Sequence, residues 1–158
     1  MRKGIFCISI DTELLWGRRH RQDLNYFIPR VEKERGIIRR LLKLFTKYKV
    51  PATWALVGKL FMTPGKNEKD SELWHGKDIV DNIRKTSGQE IGCHTFSHLF
   101  FSEISKIEAE KEIKNSIEIA KKNNVIMSSF VFPKNEIRYL GLVKKYGFTT
   151  YRGDDQRT

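Results

Sequence analysis

The sequence predicts a single α/β domain built on a parallel sheet or barrel of about five strands. Three observations lead there. Short apolar runs bounded by turn residues alternate with longer stretches of helical periodicity. Those runs are largely apolar throughout, as expected of parallel strands covered on both faces. Residues suited to chemistry collect just after the runs: Asp11 and Glu13, His94 and His98, and the segment 133–135. In parallel α/β folds these are the C-terminal strand ends, where sites are built.

Taken in order, residues 4–10 are apolar and partly β-branched, the first expected strand. Residues 14–29 read as an aromatic and basic loop closed by Pro29. Ile37, Ile38, Leu41, Leu42, Phe45 and Tyr48 then recur at helical spacing within 30–49. Residues 51–58 form the second expected strand. A polar loop with Pro64-Gly65 turn chemistry runs from 63 to 71, and a short helix is expected at 77–86. The third strand is 89–93. Ser105-Lys106-Ile107-Glu108 has the form of a capping box, so a helix should start there. Its buried face is expected to carry Ala109, Ile113, Ile117 and Ala120, and Asn123-Asn124 to end it. Residues 128–132 make the fourth strand, stopped by Pro133. Asn135 is expected to cap a helix carrying Ile137, Leu140 and Val143, with Gly147 as its stop. A fifth strand covers 148–151. The domain is expected to span 1–153, with 154–158 a disordered tail.

Length and composition narrow the class. The chain has 158 residues, enough for one domain with a sizeable core. Its formal charge of +11 comes from 30 basic and 19 acidic residues. Such an excess favours anionic partners: a phosphorylated substrate, a membrane surface or nucleic acid. Apart from Arg18-Arg19-His20-Arg21, the basic residues are spread over helices, which reads as a solvated surface. No nucleic-acid-binding motif accompanies them, so no specific nucleic acid is expected. Cys7 and Cys93 both lie in apolar runs and read as two buried thiols. No run is long enough to cross a bilayer, and the N-terminal apolar run is too short for a signal peptide. A cytoplasmic location is expected.

The segment from Glu90 to His98 organises the site. Two histidines stand four residues apart after a short strand. If 94–98 form a helical turn, both imidazoles share a face and supply two of the three protein ligands a catalytic Zn²⁺ takes. The third ligand and a general base are sought at Asp11 and Glu13.

Four segments, 9–13 (SIDTE), 51–54 (PATW), 90–98 (EIGCHTFSH) and 132–135 (FPKN), resemble the NodB-type polysaccharide deacetylases, carbohydrate esterase family four. The likeness runs from Gly4 to about Gly153. It implies a distorted (β/α)7 barrel, here incomplete at about five strands, as if truncated at its C-terminal side. It implies removal of acetyl groups from N-acetylated sugars with a divalent metal, usually zinc. His94 and His98 match the family's metal-binding histidines. The family's two adjacent acids are replaced by Asp11-Thr12-Glu13, so Asp11 matches the base and Glu13 is left for the metal. The reverse assignment, with Asp11 on the metal, stays open. Pro133, Lys134 and Asn135 match the third motif and, with Trp16, are expected at the substrate. That motif has an arginine two residues before its proline. Val131 stands there, and Lys134 is the expected substitute for the charge, without arginine's fork. The family's late Leu-x-His segment supplies a histidine acid, whereas no histidine follows His98.

Other residues have two readings. Trp16, Tyr26 and Phe27 offer rings to a sugar or to core and lid packing. His75 reads as a loop residue. Arg152 reads as a solvated strand end rather than a contact to an anionic substrate. Ser97 beside His98 does not make a nucleophile–base pair, because neighbours on a helix point apart.

Three functions follow in order. The first is a metal-dependent deacetylase acting on an N-acetylated sugar, nucleotide- or lipid-linked, in surface-polysaccharide metabolism. The second is a non-catalytic carbohydrate-binding module that keeps the metal ligands. The third, well below, is a nucleic-acid-binding protein. A sheet that stops at five strands is also expected to expose an apolar edge and apolar inner strand faces, a route to oligomers.

Overall fold

A computed structural model describes residues 4–65 and 71–154. Five parallel strands carry the fold: β1 (Ser9–Thr12), β2 (Ala52–Leu56), β3 (Gln89–Cys93), β4 (Ser129–Glu136) and β5 (Thr150–Asp154). Their spatial order is their sequence order. Between them lie α1 (Leu24–Tyr48), the short α2 (Ser71–Trp74), α3 (Lys77–Lys85), α4 (Lys106–Lys122) and α5 (Leu140–Lys145). A sheet wound in one direction with right-handed crossovers keeps its helices on one side and curls. Here the curl is a half-barrel, and Arg152 on β5 reaches Ser9 on β1, the opposite edge.

The strands alternate between two faces. Trp54, Leu56, Ile91, Phe130 and Phe132 face the helices and are buried with Ile38, Leu42, Ile79, Ile83, Ile113 and Val143. These side chains pack in two clusters, and each large buried one contributes about 1.5–3 kcal/mol. The other face carries polar side chains. Thr53 donates to Glu90 at 2.7 Å, Ser129 donates to Glu90 at 2.6 Å, and Ser129 pairs with Thr150 at 2.8 Å. The inward positions of β1 and β5, expected to be apolar, carry Ser9, Asp11, Thr150 and Arg152, while Ala55, Gly92 and Val131 line the same face of the central strands. Burial works to raise the Glu90 pKa, but hydroxyl donors from Ser129, Thr53 and Ser128 outweigh it and hold the carboxyl below its ordinary range.

Several boundaries differ from the sequence expectation, each for a tertiary reason. Residues 4–8 are not strand, and Ile5 and Phe6 are 90% and 88% exposed. Their would-be partner is the turn before β2, where Pro51 has no N–H to give. Cys7 is consequently exposed, while Cys93 is buried. α1 starts at Leu24 and passes through Pro29, because Leu24, Phe27, Ile28 and Val31 pack on the core at helical spacing. That packing outweighs the one backbone bond the proline removes. β4 likewise passes through Pro133. The ladder breaks between Val131 and Glu136, where Lys134 and Asn135 are left-handed (φ 54° and 58°), and a bulge tolerates proline. Asn135 thus lies in a strand and caps no helix; Tyr139 precedes α5 instead. β5 continues to Asp154, paired with Glu136, so Asp154 is not tail. Residues 155–158 of the expected tail and 66–70 of the expected loop lie outside the described residues. The capping box at Ser105 and Glu108 forms as expected. No helix among the described residues is long and apolar enough to cross a membrane.

Candidate metal centre

Glu13 leaves the end of β1 at a sharp turn. Leu14 follows with φ 48° and opens a 3-10 turn, Leu14–Arg18, whose Trp16 N–H bonds the Glu13 carbonyl at 3.0 Å. This turn folds Glu13 back over Gly17. A Cβ on Gly17 would stand 2.0 Å from Glu13 Oε1, so only glycine leaves room for the carboxylate.

The 94–98 segment is not the helical turn expected from its spacing. Thr95 and His98 are left-handed (φ 61° and 59°), an unfavourable region for a β-branched residue such as Thr95. Neighbouring groups hold the shape. Thr95 and Phe96 carbonyls accept from Gly58 and Lys59 N–H, both at 2.9 Å. The close approach needs Gly58, where a Cβ would meet the Phe96 ring at 2.8 Å. Beneath the loop, the buried Glu112 carboxylate on α4 accepts from Phe96 N–H (3.0 Å), Ser97 N–H (2.7 Å) and Ser97 Oγ (2.8 Å). Side chains thus supply the acceptors that helix geometry would have supplied.

Both imidazoles then face Glu13. His98 Nε2 lies 2.7 Å and His94 Nε2 3.5 Å from Glu13 Oε2, and the ring centroids are 5.0 Å apart. One ligand atom from each of the three residues falls within 4.8 Å of the others. His94 Nδ1 is 2.9 Å from the Val131 carbonyl. A carbonyl only accepts, so Nδ1 carries the proton and Nε2 presents a lone pair. Burial works to raise the Glu13 pKa, but the adjacent His94 and His98 imidazoles outweigh it and hold the carboxyl well below its usual range. Two buried nitrogens and one ionised carboxylate converging on one point fit a divalent cation. The carboxylate brought to the imidazoles is Glu13, not Asp11. Behind it, burial and then the Glu13 charge push Glu34 up to about 7.

Asp11 lies on β1, two residues before Glu13, and is held from across the half-barrel by Arg152. The Arg152 guanidinium also donates to Ser9 Oγ at 2.8 Å and Asn135 Oδ1 at 3.3 Å. Arg152 is therefore not the solvated strand end expected from the sequence. Lys134 does not bring its charge to Asp11. Its Nζ is 3.2 Å from Glu103 and 3.8 Å from the Phe100 ring centroid. Pro133 is buried and Asn135 serves Arg152. Trp16 packs edge-on against Trp74 and donates to the Trp74 carbonyl at 2.6 Å, with Lys59 Nζ 4.1 Å from its ring centroid. His20, noted in the sequence only within the basic run 18–21, packs edge-on against Phe100, whose ring also packs edge-on against His98.

Glu112 and Gly17 escaped the sequence reading, and Arg152 reads there as a solvated strand end. Glu112 had a signal: it lies three residues after Ala109 and four before Ser116, on the buried stripe of α4. Gly17 and Arg152 depend on contacts that no local pattern carries.

Residues 31–150 match the sequence profile of a family described as polysaccharide deacetylase. No match is found among curated proteins. The fold resembles that of a Mycobacterium smegmatis protein described as a candidate polysaccharide deacetylase, at TM-score 0.68 and 15% identity, over 92% of this chain and 49% of that one. It resembles deacetylase PplD of Streptococcus pyogenes, solved with acetate, at TM-score 0.62 and 14% identity, over 90% of this chain and 52% of that one. It also resembles a CE4 family pseudoenzyme from Bacillus anthracis, at TM-score 0.60 and 17% identity, over 92% of this chain and 42% of that one. The chain thus spans about half the length of these structures, and at such identities the likeness is one of fold.

Proposed function

Because the chain belongs to the polysaccharide deacetylase family, we propose that it hydrolyses the acetamide of an N-acetylated sugar in surface-polysaccharide metabolism, using a divalent metal. The observation that carries this reading is the convergence of Glu13, His94 and His98, with Asp11 two residues before Glu13 and outside their cluster. Glu13, His94 and His98 would hold the cation. A bound Zn²⁺ supplies Lewis acidity towards the acetyl oxygen and towards water at neutral pH. Asp11 accepts the proton released as a water oxygen bonds the acetyl carbon. The carbon–nitrogen bond then breaks, and the leaving nitrogen takes up a proton. His94 and Thr95 are buried, Thr95 with its hydroxyl unpaired among the described residues.

Within residues 1–158 no histidine follows His98 to protonate the leaving nitrogen. A missing general acid costs a factor of about 10² to 10⁴ where the leaving group is an amine, and little where it is an activated phenolate. The 158-residue chain is accordingly expected to hydrolyse an aryl acetate when zinc is present and to release little acetate from N-acetylated sugars. Asp11→Asn should abolish the first activity. The second reading, a non-catalytic carbohydrate-binding protein, is favoured by Val131, which stands where the family's third motif has its arginine. Zinc binding without any aryl acetate hydrolysis would select it and end the enzymatic reading.

A further inference from the structure

We propose that Arg152 is the positioning residue for Asp11, and that it acts from the strand next to the one where the family's third motif carries its arginine. The inference rests on the reading of Asp11 as the base. Val131 and Arg152 are register partners on β4 and β5. Register partners on parallel strands leave the sheet on the same side, so the two positions open into the same half-barrel. The guanidinium has moved one strand over without changing face.

The geometry of Arg152 suits the task. Its Nε donates to Asn135 Oδ1 at 3.3 Å, and one terminal nitrogen donates to Ser9 Oγ at 2.8 Å and the Ser9 carbonyl at 3.3 Å. The planar fork is thereby fixed, and the other terminal nitrogen is left for Asp11 Oδ1. Asp11 bonds no other side chain among the described residues, and its own side chain is 40% exposed. Without Arg152 it would sample several rotamers at a strand end. With it, Oδ1 is tethered and Oδ2 is left free to take the proton. Ser9 and Asp11 lie on β1, so the same contact draws the two edges of the half-barrel together. Lys134 is excluded from this role by its pairing with Glu103.

The test combines activity with two readouts that do not depend on it. Arg152→Met should lower kcat/KM for zinc-dependent aryl acetate hydrolysis by about tenfold to a hundredfold, with zinc affinity changed less than about threefold. Arg152→Lys, which keeps charge but not the fork, should fall between. The exchange Val131→Arg with Arg152→Val should recover at least about tenfold over Arg152→Met. In denaturant unfolding of the metal-free protein, Asp11→Asn and Arg152→Met should be non-additive by at least about twofold in the equilibrium constant. Hydrolysis by Arg152→Met within about threefold of the parent would overturn the proposal, as would a folded exchange variant no better than Arg152→Met. If the parent shows no zinc-dependent hydrolysis, the enzymatic reading fails. The unfolding cycle then decides alone: non-additivity supports Arg152 holding Asp11, and additivity overturns it.

Discussion

Replacing Glu112 by alanine removes the acceptor on which the 94–98 loop rests. Three donors lose their partner at once: Phe96 N–H at 3.0 Å, Ser97 N–H at 2.7 Å and Ser97 Oγ at 2.8 Å. Hydrogen bonds to a charged acceptor contribute about 1.5–3 kcal/mol each, and a buried donor left unpaired costs about 1–3 kcal/mol. The Ser97 hydroxyl can turn to another acceptor and water can reach the half-buried Phe96, which removes part of the sum. A net loss of about 3–5 kcal/mol remains, a large share of the about 5–15 kcal/mol that holds a domain folded. Glu112→Gln keeps the shape and one carbonyl oxygen, so it should lose only about 1–2 kcal/mol. Guanidinium unfolding followed by circular dichroism measures both. Because the same loop fixes the spacing of His94 and His98, zinc affinity of the glutamine variant should fall about tenfold or more. An alanine variant within about 1 kcal/mol of the parent, with zinc affinity intact, would refute the claim that Glu112 holds this loop.

Gly17→Ala places a methyl group 2.0 Å from Glu13 Oε1 and should lower zinc affinity at least about tenfold in a chelator competition while the fold survives. Glu34, pushed up to about 7 from 4.5 chiefly by burial and next by the Glu13 charge, opposed by Arg18 and Arg35, gives the metal-free protein a pH-dependent stability. A raised carboxyl contributes stability that is full below about 4.5 and lost as pH rises through about 7. Glu34→Gln should therefore be more stable than the parent at pH 8 by about 1–2 kcal/mol, an advantage that shrinks by pH 5. Burial pushes the Cys93 thiol up to about 12, while Cys7 is exposed. A disulfide-exchange reagent should react quickly with one thiol in the native protein and with both after denaturation.

The elements most legible in the sequence were those specified by neighbours along the chain. β3 lies where its apolar run ends, and α4 begins at a capping box whose two reciprocal bonds are local. The likeness of the 90–98 segment to the family's motif led to His94 and His98, and the fold does turn both towards Glu13. How it turns them was not legible. Four-residue spacing suggested a helical turn, whereas two left-handed residues and a carboxylate from α4 set the geometry. Prolines misled in the same manner at Pro29 and Pro133. Local chemistry argues for a stop at each, yet core packing carries α1 through one and a bulge carries β4 past the other. The ion pair of Asp11 with Arg152 joins the first and last strands, a separation of 141 residues that periodicity does not encode.

The central claim is that Glu13, His94 and His98 together bind a divalent cation. X-ray absorption of the zinc-loaded protein at one equivalent tests it most directly. Two imidazole nitrogens and a carboxylate oxygen at about 2.0–2.2 Å are expected, and His94→Ala and Glu13→Gln should each remove one of those scatterers or abolish binding. A sulfur scatterer at about 2.3 Å, or a coordination shell unchanged in both variants, would contradict the account.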